Sequence, residues 1–377
     1  MWRLGSLQLD GRVILAPMSR YSYLQYREFM MRFGACMCVT EMVSDSGIVH
    51  GDRRTMPYLE TGDDHPVAVQ IFGDDPELMG RAAARVLEVN PSVDAIDVNM
   101  GCPVEKVVRR GAGSSLMKDP ALCGRIMAAV KASVDVPVTA KIRLGWSSGS
   151  ITFREVISEL ESAGADGIGL HVRTRAEKYA GMPHYDLVGN LRDEMSVPLM
   201  ISGNIYTPED ARRAMEITGA DAVMLARGAV GNPALISRTD SMLRTGELPE
   251  EPTVSQQADW CLELARMTIA AEGEERGCKI MRSIAANFMT GVKYSHQVRL
   301  ELTRISTYAE LESILSRVCE ARGDERITAH GRGILRIGPC RCTPRSSPRG
   351  RGRSPLAFRA SPAWRPTARG PPPPAGG

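Results

Sequence analysis

Over roughly the first 245 residues, short apolar runs rich in β-branched residues alternate with longer stretches whose apolar positions recur every three to four residues. The runs fall at 12–17, 37–42, 67–72, 95–99, 138–143, 167–172, 199–202 and 222–226. Between them, segments such as 76–89, 120–134, 152–163 and 208–218 open with Pro, Asp or Thr, the residues that start helices. Strand and crossover helix repeated eight times predict an α/β fold of the (β/α)8 barrel type. In such a barrel the chemistry sits at the carboxyl ends of the strands.

The pattern changes after Gly246. Glu247-Leu-Pro-Glu-Glu-Pro252 reads as a linker, and 255–321 keeps a 3.6-residue period without strand runs. The expected organisation is a catalytic barrel over 1–245, a small helical domain over 246–331 and a tail over 332–377. The tail is Arg, Pro, Gly and Ser with a run of Pro from 371 to 374, too poor in apolar area to fold, so disorder is expected there. An RNA-tethering arm and an extension without function are equally good readings of it.

Charge sharpens this division. Residues 332–377 hold ten Arg and no Lys, Asp or Glu, so a chain of net charge +3 leaves residues 1–331 at −7. An acidic body binds nucleic acid only through a local basic face. The stretch 276–304 offers one, with six Lys or Arg against the single acid Glu301, although a solvated surface face competes with that reading. A chain that is 43% hydrophobic and 24% charged has an ordinary globular core. With no long apolar run and no signal-like start, a cytoplasmic monomer without a membrane segment is expected. Nine scattered Cys suggest free thiols rather than a disulfide framework. Neither close Cys pair, Cys36 with Cys38 or Cys340 with Cys342, supplies a metal's four ligands, so no metal is expected.

The candidate chemistry gathers where the strand runs end. Asp97-Val-Asn-Met-Gly-Cys-Pro103 closes the fourth run, and a Cys held between Gly and Pro at a barrel rim has no packing reason to be there. With an unperturbed pKa near about 8.5 a thiol is mostly protonated at neutral pH and can act as an acid. Gln70, Lys141 with Arg143, and His171 with Arg173 end other runs and converge on the same mouth. After runs seven and eight stand Gly203-Asn204 and Arg227-Gly228, where barrels often hold phosphate on backbone amides. Phosphate there, with Lys, Gln and His across the mouth, suggests a flavin mononucleotide.

At this point the sequence resembles the tRNA-dihydrouridine synthases. The shared pieces are Ala16-Pro17-Met18, Thr40-Glu41-Met42, Gln70-Ile71-Phe72-Gly73, Asn99 to Pro103 with Lys106 and Gly111-Ala-Gly113, Lys141-Ile-Arg143, His171-Val-Arg-Thr174 and Ala226-Arg-Gly228. They cover roughly residues 10–235 in order, and the helical portion with Arg282 and Lys293-Tyr294 is similar less specifically. The resemblance implies reduction of the C5=C6 bond of particular tRNA uridines, with FMN as hydride carrier and NADPH as reductant. It implies that Pro17, Met18, Gln70, Lys141 and His171 hold the isoalloxazine and ribityl groups, and that Gly203, Asn204, Arg227 and Gly228 hold the phosphate. Cys102 would give the proton to C5. Asn99, Arg143 and Arg173 would meet the uridine, and Arg282, Lys293 and Arg299 the rest of the tRNA. Two departures stand out: Ser202-Gly-Asn204 replaces the usual Asn-Gly-Asp or Asn-Gly-Gly, and Met182-Pro-His-Tyr185 replaces Ala-Asp-Trp.

Two other readings remain open on the sequence: an FMN barrel acting on a small molecule, and an RNA-binding protein that has lost catalysis. The basic helical appendix argues against the first, and the full set of catalytic residue types against the second.

Overall fold

The computed structural model describes residues 1–327 other than Tyr294. The expected tail over 332–377 lies outside the described residues.

Eight parallel strands close on themselves: β1 (Val13–Leu15), β2 (Met37–Val39), β3 (Val67–Phe72), β4 (Ala95–Asn99), β5 (Val138–Arg143), β6 (Gly167–His171), β7 (Leu199–Ser202) and β8 (Ala222–Leu225). Closure is made where β8 pairs with β1 through Val223↔Val13 and Leu225↔Leu15. A short strand, Val43–Ser44, adds to β3 beyond the barrel. Inward side chains Ile14, Met37, Val39, Ala68, Ala95, Met200, Ala222 and Met224 fill the interior, large against small, as a close-packed barrel requires.

α1 (Leu24–Met31) follows β1, and then come α2 (Pro76–Val89), α3 (Pro120–Lys131), α4 (Phe153–Ser162), α5 (Pro208–Thr218) and α6 (Ala234–Thr245). Four of these, α2 to α5, lie where their start signals predict, whereas α1 and α6 start without a side-chain cap. Asp75 and Asp119 cap α2 and α3 by accepting from Leu78 and Leu122 N–H, and Thr207 with Asp210 forms a capping box on α5. Such caps are worth about 1 kcal/mol each. Two crossovers differ from the regular alternation. The second has only a short helix, Asp45–Val49, and a 3₁₀ turn, while the sixth, from 172 to 198, has two 3₁₀ turns, Tyr185–Leu187 and Leu191–Glu194. The sixth therefore leaves a long irregular loop at the mouth.

The amino-terminal end of the barrel is plugged by a hairpin, Trp2–Leu4 with Leu7–Leu9, whose Trp2, Leu4 and Leu9 join the core. The plug is tight. A Cβ on Gly167 at the start of β6 would lie 2.4 Å from Leu4 Cδ1.

Beyond Gly246 the described chain is helical: α7 (Val254–Glu272), α8 (Glu274–Met281), α9 (Ala285–Phe288), α10 (His296–Leu302) and α11 (Tyr308–Arg322). α7 seats on α1 and the turn after it, with the Phe33 ring edge-on to Trp260 at 5.1 Å and Tyr23 Oη 3.1 Å from Thr268 Oγ1. Gly231 meets the α9 backbone so closely that a Cβ there would stand 2.5 Å from the Asn287 carbonyl carbon. Among the described residues no helix is long and apolar enough to cross a membrane.

Candidate active site

A cavity of about 410 Å³ opens at the carboxyl ends of the strands. One wall holds Asn99, Cys102, Pro103 and Arg143; the opposite wall holds Gly203 to Tyr206 with Arg227 and Gly228; Pro17, Met18, Gln70, Lys141 and His171 lie between. Every residue expected to hold a cofactor therefore lines one cavity with Cys102, as do Asn99 and Arg143.

The Cys102 wall is built from β3, β4 and β5 by a buried polar chain. Thr139 Oγ1 and Gln70 Nε2 each donate to Asp97 at 2.6 Å, Asn99 Nδ2 donates to Gln70 Oε1 at 2.8 Å, and Asn99 Oδ1 accepts from Cys102 N–H at 2.9 Å. The orientation of the Cys102 loop is thus inherited from three strands. Ser114 N–H and Oγ bind the Cys102 carbonyl at 3.1 and 2.9 Å. Gly113, at φ +61°, makes this approach possible, since a Cβ there would lie 2.9 Å from the same carbonyl. Burial raises the thiol's pKa, against lowering by the Val104 backbone and Arg143. The sulfur stays protonated at neutral pH.

Lys141 and His171 meet over Ser202. Lys141 Nζ donates to Ser202 Oγ at 3.3 Å, His171 Nδ1 lies 3.3 Å from the same oxygen, and Ser202 Oγ donates to the Leu170 carbonyl. Burial lowers the Lys141 pKa to about 8, partly opposed by Asp97. Burial, followed by the field of Arg143, Lys141, Arg173 and Arg227, drives His171 well below its ordinary value, so its imidazole is neutral. With Arg173 Nη1 donating toward Nε2 at 3.4 Å, the proton belongs on Nδ1, aimed at Ser202.

Arg143 and Arg173 are occupied. Arg143 Nε donates to the Gly101 carbonyl at 2.7 Å and Nη1 to those of Thr174 and Lys178, while Arg173 binds the carbonyls of Ala180 and Gly181. Arg143 thereby fastens the Cys102 loop to the sixth-crossover loop. That loop carries Tyr179, exposed, with its ring between the guanidiniums of Arg143 at 5.3 Å and Arg227 at 5.2 Å.

At the opposite wall the N–H groups of Gly203, Asn204, Arg227 and Gly228 donate to no acceptor among the described residues, and Arg227 Nη2 donates to Asn204 Oδ1 at 3.2 Å. Asn204 takes a left-handed φ of +50°. Gly228 cannot carry a side chain, since a Cβ would lie 2.3 Å from the Ile205 carbonyl oxygen. The Tyr185 hydroxyl donates to the Gly203 carbonyl at 2.7 Å, and His184 Nε2 lies 2.5 Å from Glu177 Oε1. A hollow with unpartnered amides and an Arg at one end and a Lys beside neutral His in the middle fits a flat, electron-rich ring carrying a phosphate.

The residues expected to meet tRNA elsewhere behave differently. Arg282 Nε donates to the Ile305 carbonyl at 2.7 Å and Nη2 to Ser306 Oγ at 3.2 Å, Arg299 Nε donates to the Ala286 carbonyl at 3.1 Å, and Lys293 is exposed. Arg276 pairs with Glu272 and Lys279 with Glu275. Sequence reasoning assigns no role to Asp97, Ser202 or Tyr179. Asp97 lies within the quoted motif and Ser202 within the departure Ser202-Gly-Asn204, but nothing local marks Tyr179.

A family model described as dihydrouridine synthase matches residues 14–322. tRNA-dihydrouridine synthase B of Pseudomonas aeruginosa is 36% identical over 315 residues, 83% of this chain and 94% of that protein. The chain belongs to the dihydrouridine synthase family. The probable tRNA-dihydrouridine synthase 1 of Synechocystis is 35% identical over 316 residues, 83% of this chain and 88% of that protein. Among solved structures, morphinone reductase in complex with tetrahydroNAD is 16% identical at a TM-score of 0.45, covering 66% of this chain and 90% of that one, a likeness too weak to add to the reading. As a family member the chain is a flavin-dependent oxidoreductase.

Proposed function

We propose that this dihydrouridine synthase reduces the C5=C6 bond of uridine in tRNA with FMN as its flavin, NADPH as the reductant and Cys102 as the general acid. Once bound, the flavin would supply the hydride that C6 of the uracil receives. Lys141 stabilises negative charge on the electron-rich edge of the ring, and neutral His171, oriented by Ser202, holds its polar edge without adding a second charge beside Lys141. Gln70, Pro17 and Met18 complete the ring's surroundings. The amides of Gly203, Asn204, Arg227 and Gly228, with the Arg227 guanidinium, take the phosphate.

Hydride addition at C6 leaves charge spread over C5 and the C4 carbonyl, and a proton must arrive at C5. Cys102, on the same cavity, would supply it, and burial suits it to the task by keeping the sulfur protonated. Asn99 sets the position of that loop through its hydrogen bond to Cys102 N–H. Arg143 and Arg173 serve the uridine by fixing the loops that bound the mouth. The uracil must leave the tRNA stack to reach this site, and the helical portion beyond Gly246 holds the remaining tRNA, Lys293 by contact and Arg282 and Arg299 by tying its helices together. A cytoplasmic monomer suits this task.

The observation that carries the reading is the placement of Cys102 on the same cavity as Lys141, His171 and the amides after β7 and β8. The test is direct. Purified protein reconstituted with FMN and given NADPH should form dihydrouridine in tRNA from a strain lacking its own synthases; absence of product from flavin-loaded protein contradicts the proposal.

A further inference from the structure

A second feature occupies the same rim, outside the cavity. Lys118 Nζ stands 3.5 Å from the centre of the Trp146 ring, and the Arg175 guanidinium 4.4 Å from it. Trp146 belongs to a small hairpin, Gly145–Ser147 with Ser150–Ile151, directly after β5. The hairpin is sewn to the sixth-crossover loop, with Arg175 N–H donating to the Gly145 carbonyl at 2.9 Å and Ala176 N–H to that of Trp146 at 3.0 Å.

Arg175 Nη2 also reaches Glu105 at 3.1 Å, and the same carboxylate takes Arg109 Nε at 3.2 Å. One acid thus serves two guanidiniums. On the same turn Lys106 and Arg110 are exposed, with no acidic partner among the described residues. Glu105 follows Cys102 by three residues. A connected string from Arg109 through Glu105, Arg175 and Trp146 to Lys118 therefore runs beside the mouth with excess positive charge, on a body that is net acidic.

The two cation–π pairs hold the half-buried Arg175 and the exposed Lys118 in place without neutralising them. Cations crowded at fixed positions favour an anionic partner of matching spacing, and the string adjoins the cavity assigned above to an everted uridine. We propose that Lys118 and Arg175 on Trp146, with Lys106 and Arg110, grip the backbone phosphates flanking that uridine, a grip distinct from that of the helical domain. This inference rests on the proposed tRNA activity.

The test measures tRNA affinity of the flavin-loaded protein against salt for wild type and for the Lys106→Gln, Arg110→Gln, Lys118→Gln triple variant. Removing one phosphate-binding cation should flatten the log–log salt slope by about one, so the triple variant should show a slope shallower by about two to three units and bind tenfold or more weakly near physiological salt. Lys118→Arg, which keeps the charge over Trp146, should restore its share. If the triple variant folds poorly, the single variants, each flattening the slope by about one, carry the test. Slope and affinity equal to wild type, in protein that makes dihydrouridine, overturn the inference. A flattened slope with no dihydrouridine formed even by wild type leaves this grip standing and overturns the proposed activity.

Discussion

The barrel mouth and the helical stretch 276–304 both look basic in the sequence, yet they treat their charges in opposite ways. In the helical stretch the cations are mostly committed: Arg276 and Lys279 to Glu272 and Glu275, Arg282 and Arg299 to backbone carbonyls. At the mouth Arg143 and Arg173 are tied to carbonyls too. Lys141 and Arg227, however, share one cavity beside the neutral His171 with no ion pair to an acid among the described residues, and burial lowers the pKa of Lys141. A count of basic residues measures potential for binding, but unpaired charge held against its own repulsion marks where an anion is expected. The mouth is therefore the more demanding site.

The largest predicted effect lies there. Cys102→Ala should lower dihydrouridine formation about 10²- to 10⁴-fold in single turnover, the range for a missing general acid. No single substitution among Lys293, Arg299 and Arg304 should approach it, and one that did would reverse the comparison.

Next comes Lys141→Met, which should weaken flavin binding by about 10- to 100-fold, as losing a charge-assisted hydrogen bond does. The same residue gives a pH signature in flavin-free protein. Its folded pKa of about 8 lies below the ordinary lysine value of 10.5, so between these values the unfolded chain holds a proton that the folded chain has released. Stability should therefore rise with pH across that window, and Lys141→Met should remove the rise. A flat wild-type profile would mean that the ammonium is not desolvated.

Arg282→Ala tests the other region. If its guanidinium chiefly ties α8 to the loop at Ile305, the variant should lose about 1–2 kcal/mol of stability, with a melting midpoint lower by about 2–4 °C for each kcal/mol, and only modest tRNA affinity. An unchanged midpoint with collapsed tRNA binding would make Arg282 a direct RNA ligand. The smallest effect should come from Glu275→Gln, which releases Lys279 and should steepen the salt slope of tRNA binding by at most about one unit.

Much of this architecture is legible in the sequence because buried parallel strands advertise themselves. The runs at 67–72, 95–99, 138–143 and 199–202 match β3, β4, β5 and β7, and the Pro-led helices 76–89 and 208–218 match α2 and α5. The amino-terminal hairpin and the one carrying Trp146 leave no such trace, since strands of two or three residues are too short for a period. The sixth crossover reads as one more regular unit, although its backbone is held by the buried side chains of Arg143 and Arg173 instead of by a helix. In the site, the residues after each strand are readable from the barrel rule alone. What Arg143 and Arg173 touch is not, because their partners are backbone carbonyls, and any residue can supply one. Tyr179 is hidden for the same reason, an ordinary residue made important by where its loop places it, whereas Ser202 is visible only as a departure whose role the sequence does not give.

The central claim is that the Cys102 thiol gives its proton to C5 across the cavity from the flavin. The most direct measurement runs the reaction in deuterated solvent with unlabelled reductant and locates the deuterium in the product nucleoside. The expected label is at C5, on the face opposite the hydrogen added at C6. Label at C5 on the same face as that hydrogen would place the proton donor on the flavin side and contradict the claim.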